Sequence, residues 1–444
     1  MNAEAGFVRG EPDLPPILSS LRPHRPAPVA PAERIETLDV LRGFALFGIL
    51  LVNMALFSRP IYELMLGGQA WGTQVDVVLD WVVRILAEGS FYPLFSFLFG
   101  LGAALQMKRF EERGAGFVSL YVRRLLVLLG IGLGHAFLLW EGDILVLYSV
   151  MGFLLLAFCR CQPRTLLVWT AVFLVIPVLI YAALWAFMAV GSLVPEIDVI
   201  IQRELAAAEH EFEREAAQNI EAFAHGSLGE IFVQRAQNVG FAFQYTLVFG
   251  PIIFAMFLVG LYAGRRGILQ NVAVNLAGIR RMLVLGLCIG LPAKVLYAVC
   301  FSVGDSMEVT FSWVVAVAAL AVGGPALCFF YVAGFTLLVR QETWRRRLRP
   351  VAAAGRMALS NYLFQSLVCT TLFYSYGLGW YGSVGRAEGL GLAVLIYVAQ
   401  LPLSVWWLNR FRFGPVEWLW RSLTYGQRQP MRLRSLLPGS ATAI

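Results

Sequence analysis

His135 closes the run Gly130-Ile131-Gly132-Leu133-Gly134-His135, and Glu141 and Asp143 follow within about two turns. An imidazole with carboxylates that near has the parts of a general base and its orienting acid; the bland alternative is a core histidine satisfied by its neighbours. Asp39 and Arg42 stand three residues apart and can pair on one helix face. Arg42 also suits a phosphate through its bidentate fork, which makes this a candidate anion contact where a phosphate-bearing cosubstrate enters. Asn53 follows Arg42 by eleven residues, about three helical turns; it could orient a reacting group or hydrogen-bond a neighbouring helix. Glu88, just before Ser90, Tyr92 and Pro93, is a further candidate acid, or a solvated loop residue. Lys294 follows Pro292 by two residues. The proline frees a carbonyl in the preceding turn, so the ammonium can bind that carbonyl, bind a carboxylate, or snorkel outward. Asn361, Tyr362, Gln365 and Ser366 give one apolar segment an unusually polar face.

These residues sit in a chain of 444 residues that is 59% hydrophobic and only 14% charged, with a mean hydropathy of +0.69. Ordinary globular proteins carry roughly 25% charged residues, and so few charges cannot cover that much apolar surface in water. Disorder, a coiled coil and a disulfide scaffold are excluded, and an all-α polytopic membrane protein remains. About twenty apolar residues span a bilayer. Ten segments qualify or nearly so: 38–57, 91–107, 122–140, 143–159, 165–190, 241–263, 282–303, 312–339, 357–379 and 390–409. The fourth is separated from the third by a tight Glu-Gly-Asp turn. With the N-terminus inside, 27 of the 35 Lys and Arg fall on the cytoplasmic side, while 18 of the 28 acids fall outside, as the positive-inside rule demands. Both termini are therefore expected in the cytoplasm. The net charge of +7 is explained by these loops and calls for no nucleic acid. With four His, no metal site is expected.

The predicted organisation is a disordered cytoplasmic tail over 1–33, a single bundle over 34–425 and a second tail over 426–444. An extracytoplasmic helical insertion fills 191–240, its acidic stretch 196–224 lacking any strand signal. Residues 74–88 place Val75, Val78, Leu79, Val82 and Leu86 on one stripe and read as an amphipathic helix on the outer leaflet. Pro93, Pro177, Pro251, Pro292 and Pro325 suggest kinked helices around a cavity. In this topology Asn53, Glu88, His135, Asp143 and Lys294 belong to the outer half, and Arg42, Arg356, Arg410, Arg412 and Arg421 to the inner face.

Several stretches resemble a family of bacterial inner-membrane proteins, the YeiB-like family (domain of unknown function 418). They are Leu38–Asn53, Phe91–Gly102, His135 with Gly142-Asp143-Ile144-Leu145, Gly355–Tyr362 and Phe413–Arg421, so the likeness runs from residue 35 to about 430. At the first helix this family is similar to two groups of membrane acyltransferases, the heparan-α-glucosaminide N-acetyltransferases and bacterial glycan O-acetyltransferases, which carry an Arg with a polar residue eleven positions later. Here these are Arg42 and Asn53. The resemblance implies acyl-CoA, most simply acetyl-CoA, entering from the cytosol, and an acyl group passed to an acceptor across the membrane with the aid of a histidine. This chain departs from both groups in having no His between His24 and His135.

The expectation is a membrane-embedded acyltransferase of the bacterial inner membrane, acting on an extracytoplasmic glycan or small-molecule acceptor. His135 would be the base, held by Asp143 or Glu88, with Asn53 steadying the oxyanion. Arg42 with Asp39, Arg356, Asn361 and Arg421 would hold the cosubstrate. Lys294, Tyr92 and Gln365 would line the substrate cavity. Self-association is compatible with the sequence. The alternatives are a transporter of a small solute or lipid-linked substrate, and a non-catalytic scaffold using 196–224 to hold a partner.

Overall fold

The computed structural model describes residues 35–65, 72–112, 116–303 and 308–433, with the side chains of 244–248 left aside. The tail 1–33 and the last eleven residues lie outside that set. The described chain is helical throughout, with a single isolated bridge between Phe411 and Arg432.

The chain opens with α1 (Glu36–Ser58), α2 (Ile61–Met65), α3 (Gln74–Leu86) and α4 (Phe91–Glu112). Then come α5 (Phe117–Leu138), α6 (Leu145–Phe158), α7 (Pro163–Gly191) and α8 (Pro195–Ile220), the last continued by a π-helical turn over Glu221–His225. α9 (Leu228–Arg265), α10 (Leu276–Val303) and α11 (Phe311–Val339) follow. The chain closes with α12 (Glu342–Arg347), α13 (Arg349–Arg356), α14 (Ala358–Phe373), α15 (Arg386–Leu408) and α16 (Pro415–Tyr425). Among the described residues seven spans are long and apolar enough to cross a membrane, and α6 and the second half of α9 are shorter apolar stretches. The chain is an all-α, multi-pass membrane protein.

α1 lies at the centre. Leu41, Leu46, Leu50 and Met54 are sealed, and α4, α11, α13, α14 and α15 all pack on it. α7 is the opposite case: apolar all round, it leaves Leu179 and Phe187 exposed, as a helix facing lipid must. In a bilayer helices gain little from hiding apolar surface, so close backbone approach through small residues has to hold them together. A Cβ on Gly100 of α4 would strike the Phe257 carbonyl of α9, and one on Gly260 of α9 would strike that of Phe97. Gly355 and Gly43 press α13 on α1 in the same way, against the carbonyls of Asp39 and Val351.

Three local outcomes differ from the reading of the sequence. Segment 241–263 is the second half of a helix that starts at Leu228, where Ser227 and Glu230 form a capping box. Segment 357–379 is helical only to Phe373. Beyond it the chain folds back, the Leu378 amide donating to the Thr371 carbonyl and the Tyr381 amide to that of Phe373, with Gly379 in the left-handed region at φ 67°. α3 has the predicted apolar stripe, with Val75, Val78, Val82 and Leu86 exposed. Its polar face, however, is clasped by protein: Asp76 accepts the Ala387 amide at 2.8 Å, and Asp80 meets Arg386 at 3.1 Å, both at the start of α15.

Replacing Gly355 by Ala should cost about 1–3 kcal/mol by forcing α13 off α1, read as a lower unfolding temperature in detergent. Gly130→Ala, where a Cβ meets open space, should leave that temperature unchanged or raised.

Candidate functional site

The Glu-Gly-Asp turn between α5 and α6 brings the acid–base pair together. Gly132 gives up its Cβ space to the Val146 amide and to Asp143, so the start of α6 closes on the end of α5. Gly130 and Gly134 face open space and take no part in that approach. His135 Nδ1 then lies 2.7 Å from Asp143 Oδ1. The other carboxylate oxygen accepts the Val146 amide at 2.7 Å and caps α6. His135 Nε2 is 2.9 Å from Ser366 Oγ on α14. The pair is sealed, with 1% of the His135 side chain and 2% of the Asp143 side chain exposed. Phe57 stacks on Trp140 on one side of it, at 3.9 Å between ring centroids, and Tyr362 covers His135 at 5.1 Å on another.

A cavity of about 250 Å³ opens from the arginine-rich end of the bundle. Arg42, Arg124, Arg356 and Arg421 line it, with Glu417 and Trp420 beside them. Its walls are Ile49, Phe95, Leu98 and Phe99, and Ile144, Leu145, Tyr148 and Tyr362 also bound it. Ile144 is the neighbour of Asp143, so the cavity wall is one residue and one ring away from the acid–base pair. Arg42 pairs with Asp39 at 3.0 Å. Arg124 lies over the Trp420 ring at 3.7 Å while the indole N–H donates to its carbonyl at 2.9 Å. Arg421 lies over Phe413 at 4.7 Å. Glu417 caps α14, accepting the amides of Leu359 at 2.7 Å and Ser360 at 3.0 Å as well as the Ser360 hydroxyl. Burial holds the Glu417 carboxyl above its ordinary range.

Of the residues singled out in the sequence, His135 and Asp143 meet, and Arg42, Arg356 and Arg421 share the cavity. Asp39 pairs with Arg42, Tyr362 lines that cavity and Ser366 meets His135; the other candidates lie elsewhere. Asn361 is a clasp, not an anion ligand: its amide donates to the Ala354 carbonyl and to Ser404, each at 3.0 Å. Gln365 pairs with Gln400 at 2.8 Å and ties α14 to α15. Glu88 does not hold His135. It accepts the Tyr297 hydroxyl at 2.5 Å, and its carbonyl accepts Lys294 Nζ at 2.6 Å, in a separate cluster with Asp80, Arg84 and Arg386. Lys294 is fully enclosed there. The Tyr92 carbonyl accepts the Tyr148 hydroxyl at 2.9 Å. His135 and Asp143 take their hydrogen bonds from each other, Ser366 and Val146, and Asn53 is not among them. Sequence reasoning missed two contributors. Arg124, at the start of segment 122–140, is not among the residues that the sequence singles out. Ser366 was noticed only as part of a polar face, although its i,i+4 relation to Tyr362 was visible.

Glu141, two residues before Asp143, belongs to a second buried network. It accepts Asn238 at 3.2 Å and the Tyr374 hydroxyl at 3.3 Å, and Arg235 lies 3.9 Å away. Burial still pushes its carboxyl above the ordinary glutamate value.

The family model described as "Protein of unknown function (DUF418)" matches residues 263–427. The uncharacterized protein YxaH of Bacillus subtilis is 38% identical over 420 residues, covering 91% of this chain and 97% of that protein. An uncharacterized 39.9 kDa protein of Bacillus acidopullulyticus is 31% identical over 92% of this chain and 98% of its own length. The uncharacterized protein YeiB of Escherichia coli is 28% identical, over 88% and 96%.

Because folding raises the Glu141 value, its ionisation opposes the folded state. The stability it contributes is complete below the ordinary glutamate value and is lost as pH rises through the raised one. Glu141→Gln should therefore gain on the wild type in unfolding temperature as pH rises through that window, a difference measurable in detergent across a pH series.

Proposed function

The chain belongs to the YeiB-like DUF418 family, and for it we propose a membrane-embedded acyltransferase that takes an acyl group, most simply acetyl, from acyl-CoA. The observation that carries the reading is the cavity: four arginines at its mouth, and a wall one residue and one ring away from His135 and Asp143. Guanidinium forks bind phosphates with charge-assisted, geometrically matched hydrogen bonds. Arg42, Arg124, Arg356 and Arg421 would hold the phosphates of the cosubstrate. The aromatic walls would take the pantetheine arm, and the modest volume favours a short acyl chain. The excess of basic residues at this end supports a cytoplasmic side for it under the positive-inside rule. The acceptor, a glycan hydroxyl or a small-molecule amine, would then come from the opposite side of a bacterial inner membrane. His135 would take the proton released in transfer, its orientation and charge supported by Asp143.

Mass spectrometry and calorimetry of the detergent-purified protein test this. Acetyl-CoA should bind, and Arg42→Ala and Arg421→Ala should each weaken binding about tenfold, the loss of one charged hydrogen bond. His135→Ala should retain binding and lose transfer by about 10²–10⁴-fold. Binding indifferent to both arginines, or full turnover without His135, removes the reading.

A further inference from the structure

His135 has no nitrogen left for an outside substrate. Asp143 accepts the Val146 amide with one oxygen and faces Nδ1 with the other. With Asp143 as acceptor, Nδ1 carries the hydrogen, and the Nε2 lone pair points to Ser366 Oγ at 2.9 Å. In that tautomer the Ser366 hydroxyl is the donor to Nε2. Its other acceptor, the Tyr362 carbonyl one turn back, is longer at 3.4 Å. A mid-helix serine normally settles on such a carbonyl; here the imidazole holds the shorter contact. The order carboxylate, imidazole, hydroxyl is the arrangement that turns a weak alcohol into a nucleophile, and all three side chains are enclosed.

We propose that Ser366 is the nucleophile, and that acyl transfer passes through an acyl-serine. This rests on the acyltransferase reading and makes it a double displacement. Ser366 Oγ attacks the thioester carbonyl and its proton goes to His135 Nε2. The C–S bond breaks, the proton leaves with sulfur, and free CoA thiol departs from an ester on Ser366. In the second half the acceptor hydroxyl or amine gives its proton to Nε2 and attacks the ester carbonyl. Ser366 leaves and recovers the proton. No redox change occurs and every proton returns. The position suits the route: Ser366 lies eight residues into the sixteen-residue α14, midway between the arginine-rich end and the far end. The tyrosine ring at the cavity wall must swing aside to admit the thioester. A covalent relay also lets two substrates arriving from opposite sides react without meeting.

The test uses the full chain in detergent, with acetyl-CoA and, separately, a fluorophosphonate, followed by peptide mass spectrometry. Acetyl on Ser366, absent in Ser366→Ala and His135→Ala while acetyl-CoA still binds both, is the expected result. Transfer to an acceptor should fall about 10³-fold or more in Ser366→Ala. Ser366→Cys should instead trap a thioester that hydroxylamine removes, which also guards against a misfolded alanine variant. Binding of acetyl-CoA with no label on residue 366 from either reagent, and turnover kept in Ser366→Ala, overturns the nucleophile and leaves the acyltransferase standing. Fluorophosphonate labelling of Ser366 that depends on His135, without any acetyl-CoA binding, supports the nucleophile and overturns CoA as the donor.

Discussion

An imidazole and a carboxylate held 2.7 Å apart away from water set the terms for the middle of this bundle. Burying charge is costly unless each polar atom has a partner. Here the count is complete: the second carboxylate oxygen has the Val146 amide and the second imidazole nitrogen has Ser366. Meeting that condition dictates the surroundings. Gly132 must lack a side chain so that α6 can close in. α14 must present a hydroxyl at one position of its inner face. The Phe57–Trp140 stack and Tyr362 must keep water out. A low dielectric strengthens satisfied bonds and penalises broken ones together, so the pair is both rigid and intolerant of change.

The arginine-rich end follows the reverse logic. Four guanidiniums share the wall of one cavity whose lining holds a single carboxylate, that of Glu417. Rings of Trp420 and Phe413 take up two of the cations face-on, and Asp39 draws Arg42 to one side. Stacking of this kind lets like charges lie close without the full cost of their repulsion. The region favours a polyanion, whereas the enclosed triad a few residues away favours no free charge at all. Between these environments stands Tyr362, which covers His135 and also lines the cavity.

Much of this could be read from the sequence. Apolar run lengths placed the helices, and Glu141 and Asp143 marked the turn between α5 and α6. His135 with Asp143 was legible because eight residues of chain across a tight turn leave few other arrangements. Arg42, Arg356 and Arg421 were legible by side, since charge asymmetry sorts residues between ends of a bundle. Contacts made across long stretches of chain were not. Ser366 is 231 residues from His135, and periodicity says which residues share a face, not which helix that face meets. The same blindness assigned Asn361 and Gln365 to a ligand when they serve Ser404 and Gln400. It also linked Glu88 to His135 when Tyr297 holds it. α3 shows a subtler limit: its stripe was correctly seen, yet an amphipathic pattern does not say whether water or protein will cover the polar side.

Glu417 finishes the N-terminus of α14 from a helix that follows the last apolar segment, and four residues later Arg421 completes the cavity lining. Order of synthesis therefore matters. Every apolar segment precedes α16 in the chain, and α14 lacks its cap and the pocket part of its wall until α16 docks. The arginines share one wall only once α16 has folded back beside the start of α14. The pocket is thus closed by a piece of chain made after the apolar segments, so its assembly is a late step in the folding of the bundle.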